Sequence, residues 1–302
     1  MTNRRIVPAA LLAHDDHDHD PNSELDRGLT YDVNTLLRRR GALGLLGGAA
    51  LTALAGCATT ATSGGGASAT GSSSTSATAS ATGSATAAAS SAASASAVDS
   101  VVPDETAGPY PGDGTNGVDV LTASGIVRSD IRRSFGSFSG TAAGIDTTVT
   151  LRVLDATSGS ALAGAAVYLW HATQDGRYSL YTDAQQNYLR GVQEAGADGT
   201  VTFTTIFPGA YDGRWPHMHF EVYPTLAEAT AAGTPVTTSQ LALPEDTCDL
   251  VYATSGYEQS VSNLARTSLA TDMVFSDGAD RQIPAVTGSV AKGLALALDV
   301  PV

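Results

Sequence analysis

The sequence is poor in cysteine and in basic residues. The shortage of basic residues narrows the classes of partner that the protein can bind. Lys and Arg number 16 against 30 Asp and Glu, which gives a formal net charge of −14. Phosphate backbones are bound by clustered Lys and Arg, so we expect no nucleic-acid partner. No P-loop or dinucleotide-binding glycine motif stands between a strand and a helix, so nucleotide chemistry is not indicated either.

Long hydrophobic runs are also lacking, and the one apolar run near the start is typical of an export signal. Residues 36–40 are rich in arginine, and the apolar, glycine-rich run 41–51 that follows is too short for a confident membrane span. The arginines resemble a twin-arginine signal, and Leu54-Ala55-Gly56-Cys57 resembles a bacterial lipobox that ends at a lipidated Cys57. An uncleaved membrane anchor is the alternative. We predict that residues 1–57 form a lipoprotein signal and that the protein is exported. It would stay at the outer face of the cytoplasmic membrane or be released from the cell.

Composition divides the rest of the chain into a tether and a folded domain. Residues 58–100 are almost entirely Ala, Ser, Thr and Gly, which cannot bury a core, so we predict a flexible linker. Residues 101–302 have globular composition and are numerous enough for one sizeable core. With Cys57 lipidated, Cys248 has no partner for an internal disulfide. A homodimer is possible.

Alternating residues in the domain predict strands rather than long helices. Residues 147–153 and 165–169 alternate on either side of a turn, which predicts a β-hairpin. Residues 200–206 and 294–298 are two further strands. Short helices are expected near residues 226–232 and 257–267. The predicted fold is an all-β, antiparallel β-sandwich with few short helices and a metal site carried by loops and one strand at its edge.

Two histidines on one strand are the first indication of a metal. His217 and His219 lie in an alternating segment, and residues i and i+2 of a strand point to the same face. Such a pair also occurs as ordinary polar strand residues. Tyr178 and Tyr211 lie in glycine-containing turns, and each alone is equally consistent with a loop aromatic that covers the core.

Taken together, the four side chains favour a particular ion. Imidazole suits Zn, Cu, Fe and Ni and so does not select a metal. Phenolate is a hard anionic ligand, and a trivalent cation can deprotonate a tyrosine whose free pKa is about 10. Two phenolates favour ferric over ferrous iron. Such an iron would have to activate an organic substrate that binds to it.

The order of these motifs resembles the intradiol ring-cleavage dioxygenases. The chain has Gly176-Arg177-Tyr178, a glycine-rich hairpin ending at residues 198–206, Pro208-Gly209-Ala210-Tyr211, and Arg214 before His217 and His219. The resemblance covers roughly residues 102–225. The gap between Tyr211 and His217 is shorter than in well-known soluble members and resembles an exported branch. Residues that shape the substrate pocket normally occupy that gap, so the substrate is left open.

The resemblance implies the activity and the roles of the residues. Tyr178, Tyr211, His217 and His219 would bind a non-haem Fe(III). Tyr211 would leave the metal when a catechol binds, and Arg214 would stabilise the negative charge that develops on the ring. Gly108 and Pro109 would form a wall of the substrate cavity. The reaction would use O2 to open the ring between its hydroxyl-bearing carbons and give a muconate-type dicarboxylate.

Two other functions stay open at this point. A zinc-dependent hydrolase could use His217 and His219 with Glu221 as a third ligand, although it leaves the tyrosine turns unexplained. A non-catalytic cell-surface binding module would suit the predicted strands equally well. The expected partners of the dioxygenase are a small aromatic diol and O2, with the membrane reached only through Cys57.

Overall fold

The computed structural model describes residues 101–302, which form two four-stranded β-sheets packed face to face. The strands are β1 (Asp146–Leu154), β2 (Ala166–Trp170), β3 (Arg190–Glu194), β4 (Thr200–Ile206), β5 (His217–Tyr223), β6 (Thr237–Ala242), β7 (Ala285–Ser289) and β8 (Gly293–Pro301). The first sheet has the order β4-β1-β8-β7 and the second β3-β2-β5-β6. The predicted all-β sandwich is confirmed.

The main core lies between the two sheets and explains the alternation in the sequence. Val149, Leu151 and Val153 of β1 are fully buried, while the residues between them are less buried. Opposite them, Met218 and Phe220 of β5 belong to the same apolar cluster. Fully burying one such side chain contributes about 1.5–3 kcal/mol.

A second apolar cluster covers the other face of the second sheet. It contains Tyr168 and Trp170 of β2, Tyr223 of β5, and the loop residues Tyr110 and Tyr178. All seven residues of β5 are buried, because one face meets the sandwich core and the other meets these loops. The alternate residues His217 and His219 therefore lie beneath the loops and outside the sandwich core.

Three details of the predicted topology are wrong. β1 and β2 do not form a hairpin, because β1 pairs with β4 and β8 while β2 pairs with β3 and β5. The glycine-rich hairpin that ends at residue 206 is likewise divided, with β3 and β4 in different sheets. The histidine strand β5 is an interior strand. Alternation fixes which face of a strand is buried, but it does not choose the neighbouring strand.

The sheets also differ in direction. The second sheet is antiparallel throughout, as predicted. The first is mixed, because β8, the predicted last strand, runs parallel to β1. Parallel pairing requires a long crossover connection, which here includes most of the described residues.

The helices are short and stand at the sandwich margins. The two expected helices are present as α1 (Leu226–Thr230) and α3 (Glu258–Leu264). Thr225 caps α1, its Oγ1 accepting from the Glu228 N–H at 3.2 Å. The helix α2 (Glu245–Tyr252) and a 3-10 turn at Phe275–Asp277 were not predicted.

Within residues 101–302, no helix has the length and apolarity that a membrane crossing requires. The predicted signal, Cys57 and the linker lie outside the described residues, and these stay predictions. Cys248 is buried as a free thiol.

Candidate metal centre

Strand β5 places its two histidines next to each other. The ring centroids of His217 and His219 are 4.7 Å apart, and their Nε2 atoms are 3.0 Å apart. Trp170, which lies opposite His219 on β2, stacks on the His219 ring at 4.8 Å with 6° between the planes. The indole restricts the rotation of that ring, so the orientation of the imidazole is fixed by the sheet.

Tyr211 is brought to the histidines by a loop that α3 holds in place. The Ala210 N–H donates to Ser260 Oγ at 2.9 Å, and Asn263 Nδ2 donates to the Ala210 carbonyl at 2.7 Å. Both backbone groups of Ala210 are thereby fixed. The Tyr211 hydroxyl then lies 3.1 Å from His217 Nε2.

Tyr178 joins the same group of rings from the loop after β2. Its ring centroid is 5.9 Å from that of Tyr211 and 6.3 Å from that of His219, both in edge-on contacts. Tyr178, His217 and His219 are buried, whereas Tyr211 is only partly buried. The structure therefore brings all four predicted ligands together.

The two imidazoles are neutral in this environment. Burial, with the positive charge of Arg214, lowers the pKa of His217 well below its usual value. Burial and the neighbouring His217 also lower the pKa of His219, although a backbone contact with Thr106 opposes the shift. Neutral imidazole is the form that binds a metal.

Hydrogen bonding selects the nitrogen that faces the centre. His217 Nδ1 lies 2.5 Å from the Trp215 carbonyl, which can only accept, so Nδ1 carries the proton. His217 Nε2 is therefore a lone-pair donor. It is surrounded at about hydrogen-bond distance by His219 Nε2 and the Tyr211 hydroxyl. A carbonyl behind a metal-binding histidine is the usual arrangement that fixes its tautomer.

This donor set fits one ferric ion. His219 Nε2 and the Tyr211 hydroxyl both lie within 3.1 Å of His217 Nε2, with a second phenol ring beside them. Between residues 101 and 302 there is no group of three or more His, Cys, Asp or Glu side chains suited to a metal. Any ion at this place would therefore depend on tyrosine oxygen, which matches the preference of a hard trivalent cation.

Glu221, the third ligand of the zinc alternative, is engaged elsewhere. Its carboxylate accepts from the Tyr223 hydroxyl at 2.7 Å and from Thr238 Oγ1 at 3.3 Å. Burial and the charge of Asp113 raise the pKa of Glu221 to about 8. The structure does not bring this carboxylate into the histidine pair.

Arg214 lies beside the histidines in a fully buried ion pair. Its Nε donates to Asp272 Oδ2 at 2.9 Å, and one terminal nitrogen donates to Gln240 Oε1 at 2.8 Å. Gln240 is opposite His219 on β6. The Nε and one terminal nitrogen are thus anchored, and the charge acts on His217 and His219 from a fixed position.

The segment with Gly108 and Pro109 lies against the same group. Gln240 Nε2 donates to the Thr106 carbonyl at 2.8 Å, and the Gly108 N–H donates to Thr106 Oγ1 at 3.0 Å. Tyr110, directly after Pro109, packs on Tyr178 with ring centroids 4.8 Å apart. The segment is therefore in place to form a wall beside the tyrosines.

Sequence reasoning missed three residues that support the centre. They are Asp272, Gln240 and Trp170, which hold Arg214, the Thr106 segment and His219. Trp170 could have been found, because it ends the strand that precedes Tyr178. Asp272 lies 58 residues after Arg214 in an irregular segment, and no local pattern points to it.

Known proteins resemble this part of the chain. The family model Dioxygenase_C, described as Dioxygenase, matches residues 129–221. Chlorocatechol 1,2-dioxygenase of Rhodococcus opacus is 40% identical over 58 residues, which are 18% of this chain and 23% of the relative. Catechol 1,2-dioxygenase 1 of Acinetobacter lwoffii is 45% identical over 56 residues, 18% of each chain. These matches support the intradiol ring-cleavage dioxygenase family for this part of the chain.

The sequence matches to the two catechol dioxygenases are local. Each spans about a fifth of the length of the curated relative. Residues 129–221 contain all four candidate ligands and Arg214, whereas Gly108 and Pro109 precede them. Among solved structures, an intradiol ring-cleavage dioxygenase from Tetranychus urticae is similar, with a TM-score of 0.48 and 27% identity. That similarity covers 59% of this chain and 87% of the other.

Proposed function

We propose that the domain is a non-haem, Fe(III)-dependent dioxygenase that cleaves the ring of a catechol-type aromatic between its hydroxyl-bearing carbons. Both atoms of O2 enter the product, a muconate-type dicarboxylate, so no external reductant is required. The observation that carries the proposal is the convergence of two phenols and two neutral imidazoles. The similarity to a chlorocatechol and a catechol dioxygenase supports this substrate class.

Tyr178, Tyr211, His217 and His219 would hold the iron. When bound, the iron would supply a Lewis-acidic centre that takes both catechol oxygens and draws electron density from the ring. Tyr178 and the histidines are buried and locked by their neighbours, so they suit permanent ligands. Tyr211 is the more exposed tyrosine and lies on a loop, which suits the ligand that gives way to substrate. Its released phenolate could accept a catechol proton.

Arg214 and the Gly108–Pro109 segment would act on the substrate. The Arg214 guanidinium is preorganised by Asp272 and Gln240, so it can stabilise negative charge on the ring without reorganising. Gly108 and Pro109 would confine the ring against the tyrosines. Burial of Arg214 keeps water away from its guanidinium, which strengthens its electrostatic interactions.

The predicted lipobox and linker extend the proposal to the part of the chain that precedes the domain. The lipobox at Cys57 and the linker would tether the domain outside the cytoplasm of a bacterium, where it would meet small aromatic diols. A zinc hydrolase is the alternative, although Glu221 is bonded to Tyr223 and Thr238.

The decisive experiment is a visible absorption spectrum of the full-length chain, with iron quantified on the same sample. Phenolate bound to Fe(III) gives a red to purple charge-transfer colour, which a zinc site does not. We expect about one iron per chain, this colour, and a band shift when catechol is added without oxygen.

Two histidine variants make the test specific. His219→Ala should lose the iron and the colour. His171→Gln is the matched control, because His171 is equally buried but bonds to Thr205 and the Ala172 carbonyl. It should keep both. A wild-type chain that stays colourless after iron loading, or that binds zinc instead, would overturn the proposal.

A further inference from the structure

Arg190 is completely buried at the start of β3 and uses all of its hydrogen-bond donors. Its Nε donates to Ser179 Oγ at 3.0 Å. One terminal nitrogen donates to the Pro111 carbonyl at 2.7 Å and the Tyr168 hydroxyl at 2.9 Å. The other donates to the Tyr110 carbonyl at 2.8 Å and the Ser179 carbonyl at 3.0 Å. A guanidinium has five N–H groups, so none is left over.

The acceptors come from three separate parts of the chain. Ser179 directly follows the candidate ligand Tyr178. Tyr110 and Pro111 directly follow the candidate wall at Gly108 and Pro109. Tyr168 belongs to β2, the strand that pairs with the histidine strand β5. One side chain therefore fixes the backbone beside a ligand, the backbone beside the wall, and the sheet beneath them.

The five acceptors are all neutral. Within residues 101–302, Arg190 forms no ion pair, whereas Arg214 is paired with Asp272. Burying a charge without a counter-ion is costly, and here the cost is offset by hydrogen bonds and by a cation–π contact with the Tyr181 ring at 5.6 Å. Because burying this charge costs free energy, we infer that the geometry of the neighbouring segments depends on Arg190.

The backbone near Arg190 also contains two residues in a strained conformation. Leu180 and Leu189 have φ values of 70° and 56°, a region that non-glycine residues rarely occupy. Leu180 directly follows Ser179, and Leu189 directly precedes Arg190. A Cβ on Gly112, whose φ is 64°, would come within 3.0 Å of an Arg190 terminal nitrogen. Strained residues persist where the surroundings over-determine them, and here Arg190 bonds to Ser179, the neighbour of Leu180.

We propose that Arg190 is a positioning residue, which holds Tyr178 and the Gly108–Pro111 segment in the one relative geometry that metal and substrate require. It touches neither, and it acts through Ser179 and the carbonyls of Tyr110 and Pro111. This inference rests on the proposed function of the centre.

The test compares Arg190→Lys with the wild type in the full-length chain. Lysine keeps the charge but lacks the planar fork, so it can satisfy only part of the five-acceptor set. Displacement of a catalytic group by about 1 Å costs about a hundredfold in rate. We expect kcat for catechol to fall by about that factor, and the tyrosinate-to-iron band to shift or broaden even before substrate is added.

A core variant separates positioning from general destabilisation. Phe203→Leu removes volume in the sandwich core, in the first sheet and away from the rings. It should lower Tm while it leaves the band position and kcat unchanged. If Arg190→Lys also lowers Tm but keeps the wild-type band and kcat, Arg190 is merely structural and the inference is overturned.

A milder variant covers the case in which Arg190→Lys does not fold. Ser179→Ala removes one acceptor of Arg190 and leaves the other four. A shifted band in this variant supports the inference, and an unchanged band refutes it. A wild-type chain with no iron band and no catechol turnover would instead refute the proposed function, so the two failures are distinguishable.

Discussion

Ion pairs in this domain differ widely in what they contribute, and burial decides the difference. Arg214 and Asp272 are 1% and 0% exposed, whereas Arg152 and Asp299 are 50% and 57% exposed. Exposed pairs contribute under about 1 kcal/mol. Removing one partner of a buried pair costs about 3–5 kcal/mol, because the other charge is left without compensation.

Asp272→Asn should therefore be strongly destabilising. Asp272 accepts from Arg214 and from the backbone N–H groups of Trp215, Val274 and Phe275, and an asparagine would turn an NH2 group toward some of these donors. We expect a loss of about 3–5 kcal/mol at neutral pH. Thermal unfolding would measure it, with Asp299→Asn as the control that changes Tm little.

The loss of stability caused by Asp272→Asn should depend on pH. Burial raises the pKa of Asp272, but Arg214 and the hydrogen bonds outweigh it and hold the pKa below its usual 3.8. The carboxylate thus contributes stability that is fully present above about pH 4 and is lost as the pH falls through the lower folded value. The gap between wild type and Asp272→Asn should narrow in that acidic range. A constant gap down to pH 2 would contradict this assignment.

At the scale of single residues, the sequence predicted those that follow a local rule. His217 and His219 share a strand face, and the tyrosines stand in turns beside them in sequence order. Asp272, Gln240 and Arg190 support these residues from distant segments. Their partners are chosen by tertiary packing, which no short window of sequence contains.

The loop that carries Tyr211 is held near the histidines by helix α3 and by the loop after β2. Helix α3 holds Ala210 through Ser260 and Asn263, and Gly209 packs against the loop after β2. A Cβ on Gly209 would lie 2.2 Å from the Gln174 carbonyl oxygen and 2.9 Å from Ser260 Oγ. The nearest neighbour is backbone, which cannot move aside cheaply.

Gly209→Ala should push these elements apart and displace Tyr211. Overpacking of this kind costs about 1–3 kcal/mol. We also expect weaker iron retention, measured as the iron remaining after dialysis against a chelator. Gly196→Ala is the matched control, because a Cβ there would meet Asp198 Oδ1 at 3.3 Å and no backbone closer than 3.8 Å. Equal iron retention in both variants would show that the turn does not position Tyr211.

The strands themselves were largely predictable, and their pairing was not. The segments that became β1, β2, β4, β5 and β8 alternate or carry β-formers. The division of β1 and β2 between two sheets, and the parallel pairing of β1 with β8, depend on contacts far apart in sequence. α2 escaped prediction because it follows Pro244 without a side-chain cap that would mark its start.

For the whole molecule, the first described residues are part of the core. Val102 is 2% exposed, belongs to the main apolar cluster, and donates its N–H to the Pro301 carbonyl at 2.8 Å. The segment then crosses to the second sheet, where the Glu105 N–H donates to the Thr238 carbonyl at 2.7 Å. The stability of the domain should therefore depend on whether the chain includes Val102, next to the boundary predicted at residue 101.

A chain that starts at Asp99 should unfold at the same Tm as the full-length chain, because the predicted linker contributes no core. A chain that starts at Asp104 loses the burial of Val102, about 1.5–3 kcal/mol, and should unfold several degrees lower. Calorimetry on the three lengths tests this. A lower Tm for the chain that starts at Asp99 would place part of the folded unit before residue 99.

The two tryptophans of the chain both adjoin the candidate centre. Trp170 stacks on His219, and the carbonyl of Trp215 bonds to His217. The intrinsic fluorescence of the protein is consequently a built-in optical sensor of this one place. Quenching by an arriving ion, or by an aromatic ring beside it, can be followed in real time without any label.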